Sequence, residues 1–188
     1  MSSNKSAKKS AVKERAGVDG APHSLGTKSH IAASRPGRYC YEYPRPAVTV
    51  DIVLFRIKDD HVQVLLIQRG GEPFEGSWAF PGGFVDKDEA LEAAARRELM
   101  EETGLKNIKI EQFGAFGDPG RDPRGHTVSV AFTALIKKTV VPRAADDAKD
   151  AAWFSATRPP RLAFDHAKIL KTALKFMFPE AGKEKSTR

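Results

Sequence analysis

The sequence predicts an α/β fold in which a mixed β-sheet lies between helices. Several β-branched or alternating segments are separated by short turns, which is typical of antiparallel strands and hairpins. Only two segments, residues 89–103 and 162–178, repeat apolar residues at helical spacing. With two helices and a sheet to cover, one helix on each face is the natural layering.

The charge distribution predicts one domain between two basic tails. The chain has 188 residues and a net charge of +7. Residues 1–40 carry a net +6 and residues 183–188 a net +2, so the part between them is close to neutral. We therefore expect a disordered tail over residues 1–38, a folded domain over 39–180 and a second disordered tail over 181–188. A near-neutral domain argues against specific nucleic-acid binding.

The composition also indicates in which cellular compartment the protein is expected. The single cysteine, Cys40, excludes an internal disulfide and fits a reducing compartment. No apolar run approaches the roughly 18–20 residues that a membrane span needs. We expect a cytoplasmic protein without membrane contact. Two alternatives stay open for the Ser-rich, basic start of the chain: an organellar transit peptide, or contact with anionic polymers or membranes.

The strands follow from alternation and from the turns that bound them. Residues 58–61 form a turn between the first two strands, and loops rich in Gly and Pro cover residues 70–76 and 118–125. A further loop is predicted over residues 141–149. The predicted strands cover residues 48–57, 62–69, 77–81, 108–117, 127–137 and 151–154.

The first helix is predicted over residues 89–103, a segment with no Gly or Pro that is dense in Ala, Leu, Glu and Arg. Asp86 or Asp88 can cap its N-terminus by accepting a backbone N–H bond. Gly104 follows its last residue, where glycine commonly ends a helix.

Three carboxylates of this helix, Glu98, Glu101 and Glu102, fall on the same arc as Ala94 and Ala95 at about 100° per residue. That arc is expected to face the protein. Like charges at this spacing repel, and burying them costs several kcal/mol per ion unless something compensates. A divalent cation is the simplest compensation, and oxygen ligands one turn apart suit Mg²⁺ or Mn²⁺.

On charge pattern alone, an exposed acidic helix stabilised by Arg96 and Arg97 explains the segment equally well. The flanking spacing favours the metal site. It reads Gly83, five residues, Glu89, seven residues, Arg97-Glu98-Leu99, one residue, Glu101-Glu102, one residue, Gly104-Leu105. This string resembles the Nudix box at every defined position, so the chain resembles a Nudix hydrolase. The resemblance implies the Nudix α/β/α sandwich.

The resemblance also implies a chemistry. Nudix hydrolases cleave a diphosphate that links a nucleoside to another moiety, with metal ions that neutralise the phosphates and activate water. Glu98 and Glu102 match the family's metal-ligand glutamates, and Glu101 is expected to share that work. The backbone carbonyl of Gly82 would be a further metal ligand.

Supporting roles are implied for other residues. Arg97 resembles the residue that orients a neighbouring glutamate, and Glu89 would support it; the alternative is a surface salt bridge between the two. Family members often take the general base from the loop before the last strand. Here that loop offers Asp146, Asp147 and Asp150, of which Asp147 is our choice against a merely solvated acidic loop.

Beyond the box, the chain resembles the ADP-ribose pyrophosphatases and the Nudix domain of NAD-metabolism transcription regulators. The resembling segments are residues 43–51, 65–74, 78–85, 116–125 and 162–166. The implied reaction is hydrolysis of ADP-ribose to AMP and ribose 5-phosphate. The alternatives are a nucleotide sugar, a dinucleotide or a damaged nucleotide as substrate.

A regulator that binds ADP-ribose is the alternative of a different class. Such regulators add a C-terminal winged-helix domain, whereas roughly ten residues follow Phe178 here. Their Nudix boxes are also often degraded, whereas this one is intact. We therefore expect an enzyme that takes a small nucleoside-diphosphate substrate. Relatives are commonly homodimers, so the resemblance also implies a homodimer.

Three arginines are candidates for substrate binding. Arg121 and Arg124, in the loop over residues 118–125, could grip phosphate or ribose bidentately. The alternative is that they pair with Asp118 and Asp122 as solvated loop charges. Arg69, beside the first loop, could contact phosphate.

Aromatic residues and one histidine complete the candidates. Phe80 and Phe116 could stack on adenine, although an aromatic residue in a strand is more often part of the core. His166 lies on the apolar face of the second helix, which favours a core histidine with its hydrogen bonds satisfied.

Overall fold

The fold is described from a computed structural model, which covers residues 41–137 and 148–179. The two predicted tails and Asp147 lie outside these described residues. The elements in chain order are β1 Ala47–Lys58, β2 His61–Arg69, β3 Trp78–Ala79, β4 Gly82–Phe84, α1 Leu91–Thr103, β5 Glu111–Phe116, β6 Thr127–Ile136, β7 Ala148–Ser155 and α2 His166–Met177.

The strands form one mixed sheet. Its main path runs β3-β2-β1-β6-β5, with β4 paired to β1 and β7 paired to β2. The long central pair, β1 and β6, is parallel, and the other pairs are antiparallel. The predicted α/β fold with a mixed sheet is confirmed.

The central strand β1 is buried on both faces, and its alternation divides the core in two. Its even-numbered residues Val50, Ile52 and Leu54 pack in a cluster with Ala94, Ala95 and Leu99 of α1. Its odd-numbered residues Val53 and Phe55 pack in a second cluster with Ile169, Leu170 and Ala173 of α2. The sheet therefore lies between two helices, as the predicted sandwich requires. Asp51 shares the α2-facing side of the strand.

The start of α1 corrects one prediction. The N-cap position is Ala90, and no side chain caps it, so a cap by Asp86 or Asp88 is wrong. Instead, the N–H of Asp86 donates to Glu89 Oε2 at 3.0 Å, and the N–H of Glu89 donates to the Asp86 carbonyl at 3.2 Å. The predicted end is confirmed: Gly104 adopts a left-handed φ of 72° and donates to Met100 O.

The second helix starts later than its apolar spacing predicts. The segment before His166 is tied to β3, because the N–H of Ala163 donates to the Trp78 carbonyl at 2.8 Å and Leu162 bridges Trp78. These bonds tie the irregular segment to the sheet edge, and the helix begins only at His166. No helix of the described residues is long and apolar enough to span a membrane.

Two neighbouring residues of α1 test this packing. Leu99 is 2% exposed, whereas Met100 is 45% exposed. We expect Leu99→Ala to lower the free energy of unfolding by about 2–5 kcal/mol, because it leaves a cavity under the sheet. Met100→Ala is the matched control and should cost less than about 1 kcal/mol. Urea denaturation followed by circular dichroism measures both, and equal losses would contradict the orientation of α1.

Candidate functional site

A cleft lies where β4 runs past β1 and the C-terminal half of α1. Its two adjoining parts share Arg69, Gly82, Gly83, Glu102 and Arg124. One part extends towards Glu98 and the other towards Phe84, Phe164 and His166. The cleft therefore has an acidic end, a pair of arginines and an aromatic end.

The acidic end is built by α1, with one correction. The side chain of Glu98 is 14% exposed and that of Glu101 40% exposed. The buried residues of the helix are Ala94, Ala95, Leu99 and Thr103. These residues centre the buried face on the side of Glu102 and away from Glu101. Two of the three predicted carboxylates therefore point inward, and Glu101 lies at the rim.

Glu102 is the most perturbed carboxyl group of the cleft. Burial, helped by the negative charges of Glu98 and Asp51, raises its pKa to about 8. The N–H of Gly82 opposes this shift by donating to Glu102 Oε2 at 2.8 Å. Burial also raises the pKa of Glu98, although Arg97 acts against the shift. The two inward carboxylates thus lack sufficient positive charge around them.

Arg97 holds the outer side of this acidic group. Its Nη1 donates to Glu98 Oε1 at 2.8 Å and to Glu101 Oε2 at 3.1 Å. Its Nε and Nη2 each donate to Glu89 at 2.9 Å, and these bonds lower the pKa of Glu89 to about 2. Arg97 is therefore placed to orient Glu98 and is itself oriented by Glu89. Its predicted role in catalysis stays a prediction.

Two observations indicate that this acidic end of the cleft suits a hard divalent cation. Its candidate donors are the oxygens of Glu98, Glu102 and the Gly82 carbonyl, the ligand type that Mg²⁺ and Mn²⁺ prefer. A Cβ added at Gly83 would overlap the carboxylate of Glu98, so glycine leaves room for that group beside the backbone. Among residues 41–137 and 148–179, no group of three or more His, Cys, Asp or Glu is already gathered for a metal.

All three predicted arginines line the cleft, and Arg69 and Arg124 line both of its parts. Arg69 donates from Nε to the Pro73 carbonyl at 2.7 Å, and its guanidinium lies 4.9 Å from the ring centre of Phe164. Arg124 pairs with Asp122 at 2.8 Å, as the alternative interpretation predicts. Its side chain is 41% exposed, so part of its positive charge still faces the cleft.

Arg121 is placed differently from the prediction. Its side chain is 4% exposed, and its partner is Asp165 rather than Asp118. Both Nε and Nη2 donate to that carboxylate, at distances down to 2.6 Å, while Asp118 pairs with Lys168. Arg121 therefore belongs to the wall of the cleft, where the carboxylate of Asp165 already neutralises much of its charge.

The aromatic candidates also differ in exposure. Phe80 lines the cleft but is 2% exposed, with one ring face stacked on His166 at a centroid distance of 4.8 Å. Phe116 is 8% exposed and belongs to the α2-side core, as the core interpretation predicts. His166 is buried with a partner for each ring nitrogen, which also agrees with that interpretation.

Sequence reasoning missed Phe84, Phe164 and Asp51. Phe84 is 45% exposed, and the guanidinium of Arg124 lies 4.9 Å from its ring centre and 5.5 Å from that of Phe164. Phe164 carried no periodic signal, because it lies in the irregular segment before α2, with a φ of 49°. Asp51 did carry a signal, as the lone acidic residue of β1, next to the apolar run over residues 52–55.

Comparison with known proteins gives consistent matches. A model of the NUDIX domain matches residues 45–173. The ADP-ribose pyrophosphatase of Methanocaldococcus jannaschii is 42% identical over 134 residues, which are 71% of this chain and 76% of that protein. The ADPR responsive transcriptional repressor NtrR of Acinetobacter baylyi is 38% identical over 136 residues, which are 70% of this chain but only 54% of the repressor.

A solved structure matches over the same region. It is the NUDIX domain of Shewanella oneidensis NrtR complexed with ADP ribose, at a TM-score of 0.67 and 36% identity. The match covers 72% of this chain and 90% of that domain. ADP-ribose thus figures in the name or as the ligand of all three similar proteins.

Gly83 offers a test of the cation site. We expect Gly83→Ala to weaken Mn²⁺ binding by about tenfold or more, because the added methyl displaces the carboxylate of Glu98. Gly71→Ala is the control, since its Cβ would meet nothing within 4 Å. Titration of each protein with Mn²⁺, followed by electron paramagnetic resonance, gives the affinities. Unchanged affinity in Gly83→Ala would remove Glu98 from the proposed ligand set.

The pKa of Glu102 predicts a pH dependence of the metal-free protein. The folded state keeps a proton on Glu102 up to about pH 8, whereas the unfolded state releases it near pH 4.5. This contribution to stability is present below pH 4.5 and is lost as the pH rises to about 8. In EDTA, Glu102→Gln should therefore be more stable than the parent protein at pH 8, by on the order of 2 kcal/mol.

Urea denaturation of both proteins between pH 4 and pH 9 checks this expectation. The difference between them should grow as the pH rises, because the amide of the variant does not titrate. A constant difference across this range would show that Glu102 titrates normally.

Proposed function

The chain belongs to the Nudix family and is a Nudix hydrolase, and from this premise we propose that it hydrolyses ADP-ribose to AMP and ribose 5-phosphate with a divalent cation. The observation that carries the proposal is the inward pair Glu98 and Glu102 beside the Gly82-Gly83 backbone, at one end of a cleft that also holds two arginines. The sequence identity between this chain and an ADP-ribose pyrophosphatase supports the choice of ADP-ribose as the substrate.

We propose that Glu98, Glu102 and the carbonyl of Gly82 hold Mg²⁺ or Mn²⁺, with Glu101 joining from the rim. A bound cation would neutralise the diphosphate and lower the pKa of its water. Arg97 keeps Glu98 and Glu101 oriented, as its two hydrogen bonds to them indicate. The unusually high pKa of Glu102 supports the assignment, because a nearby cation favours the ionised form that burial alone disfavours.

The remaining surfaces of the cleft suit the rest of the substrate. Arg69 and Arg124 supply the positive charge that a diphosphate needs on its side away from the cation. The rings of Phe84 and Phe164 offer apolar faces next to these charges, which suits adenine or ribose. Phe80 has one face already against His166, so we assign it to the wall of the cleft and keep its contact with adenine as a prediction.

The general base stays a prediction. Asp147 lies outside the described residues, so its distance from the cleft is open to experiment. Asp150, from the same predicted loop, lies in β7 and accepts a bond from the Ala151 N–H at 2.7 Å. If Asp147 is the base, Asp147→Asn should lower kcat by about 100-fold or more with little change in KM. An unchanged kcat would exclude it.

A second candidate function follows from the sequence identity between this chain and the repressor NtrR. In this alternative the protein binds ADP-ribose as a signal and passes the information to DNA or a partner. Fluorescence anisotropy with labelled duplexes at several salt concentrations separates the two. Sequence-specific binding would favour the regulator, and the homodimer implied by the resemblance is checked by sedimentation of the same samples.

The decisive experiment measures products from a panel of nucleotides with Mg²⁺ or Mn²⁺. We expect ADP-ribose to give AMP and ribose 5-phosphate with the highest kcat/KM, and EDTA to abolish turnover. Glu102→Gln should lower kcat/KM by about 100-fold or more, because it removes a charge that holds the cation. Chromatography of the products identifies which phosphate bond is cleaved.

Glu92→Gln is the matched control for that variant. Glu92 lies on the same helix, is 59% exposed and forms a salt bridge with Arg96, so the loss of its charge should leave turnover within about twofold. Higher kcat/KM on a nucleotide sugar or a dinucleotide would overturn the choice of ADP-ribose. Equal activity of Glu102→Gln and the parent protein would overturn the metal assignment.

A further inference from the structure

A buried polar network forms part of the cleft wall, between β1 and the start of α2. Its centre is Asp51, which is 7% exposed. One carboxylate oxygen of Asp51 lies 3.4 Å from His166 Nε2. The other accepts a bond from the hydroxyl of Ser129 and lies 3.9 Å from Arg121 Nη2. A buried carboxylate needs such partners to offset its lost hydration.

His166 links the carboxylate of Asp51 to Phe80, which lies in the short connection between β3 and β4. Its Nδ1 accepts a bond from the backbone N–H of Phe80 at 3.1 Å. Since Nδ1 is an acceptor, the ring proton belongs on Nε2, which faces Asp51. Burial lowers the pKa of His166, which agrees with a neutral ring of this tautomer. The imidazole thus joins an amide of the chain to a carboxylate of the core.

Phe80 lies only two residues before Gly82, whose carbonyl is a proposed metal ligand. After Phe80, the carbonyl of Pro81 accepts a bond from the Ile52 N–H at 2.8 Å. Gly82 then donates its N–H to Glu102 at 2.8 Å. Each of these three residues is therefore held by one backbone hydrogen bond, and only the bond at Phe80 depends on a side chain of α2.

Close packing gives this segment little freedom on its other side. Gly82 lies opposite Asp51 in the β1–β4 ladder. A Cβ on Gly82 would overlap the Val50 carbonyl and lie 3.1 Å from Asp51 Oδ1. A small shift of the backbone at Phe80 would consequently move Gly82, and with it the hydrogen bond to Glu102.

From these contacts we propose that His166 is a positioning residue of the metal site: it fixes the Phe80–Gly82 backbone, and thereby the Gly82 carbonyl and Glu102, through its bond to the Phe80 N–H. The proposal rests on the proposed function of the cleft. It goes beyond packing, because an apolar side chain of similar size would fill the space but accept no bond.

Two substitutions separate the two polar contacts of the ring, the hydrogen bond from the Phe80 N–H and the 3.4 Å contact with Asp51. In His166→Asn, the amide oxygen can occupy the place of Nδ1 and still accept from Phe80, while the donor to Asp51 is lost. In His166→Gln, the amide nitrogen can reach the place of Nε2 and donate to Asp51, while the acceptor for Phe80 is lost. The pair therefore tests which bond matters for the metal site.

We expect His166→Gln to weaken Mn²⁺ binding and to lower kcat by about 10–100-fold, with KM for ADP-ribose changed less than threefold. His166→Asn should recover most of both losses. His61→Gln is the control, because His61 is exposed at the first residue of β2 and its substitution should leave both quantities unchanged. Equal losses in the two His166 variants, or none in His166→Gln, would overturn the proposal.

Two measurements keep the test independent of folding and of the substrate. Mn²⁺ affinity is obtained without turnover, so it tests His166 even if ADP-ribose proves to be the wrong substrate. In the parent protein, ¹⁵N NMR of the histidine rings should show His166 protonated at Nε2 alone near pH 7. A proton on Nδ1 would exclude the hydrogen bond from the Phe80 N–H, and this result alone would overturn the proposal.

Discussion

The architecture of the cleft depends on carboxylates that are buried next to one another without a full set of positive partners. Glu102 carries the clearest sign of this constraint, because its pKa rises to about 8. Its carboxylate is held by a backbone N–H of Gly82, which supplies a dipole but no net charge. An arrangement of this kind costs folding free energy and is retained where function needs it. It suits a cation that arrives with its substrate.

Two networks of hydrogen bonds and ion pairs, one on each side of Glu102, limit the folding free energy that the buried carboxylates cost. On the outer side, Arg97 spreads its donors over Glu89, Glu98 and Glu101, so part of the acidic surface is neutralised. On the inner side, Asp51 gathers donors from β6 and α2. The Gly82-Gly83 backbone passes between the networks. Gly82 has to be glycine, because a Cβ there would overlap the Val50 carbonyl, and a Cβ on Gly83 would displace the Glu98 carboxylate.

Several sequence-based expectations agreed with the structure because they rest on local rules. Helical spacing located both helices, alternation located β2 and β5, and β-branched content with the bounding turns located β1 and β6. The cap at Asp86 or Asp88 failed, because the chain before α1 uses backbone bonds between Asp86 and Glu89 instead. The inward orientation of Glu101 failed, because the centre of the buried face depends on how the whole helix packs and not on spacing alone.

By itself, the sequence determined the family, the mixed α/β fold and the acidic helix, since these follow from spacing within short segments. Only the tertiary structure decided which charges meet. Arg121 contacts Asp165 across 44 residues of sequence, and Phe80 bonds to His166 across 86. Such pairs carry no local periodicity, because the folded chain brings together elements whose separation in sequence is arbitrary. Their geometry is set by how β3, β4 and α2 pack around β1.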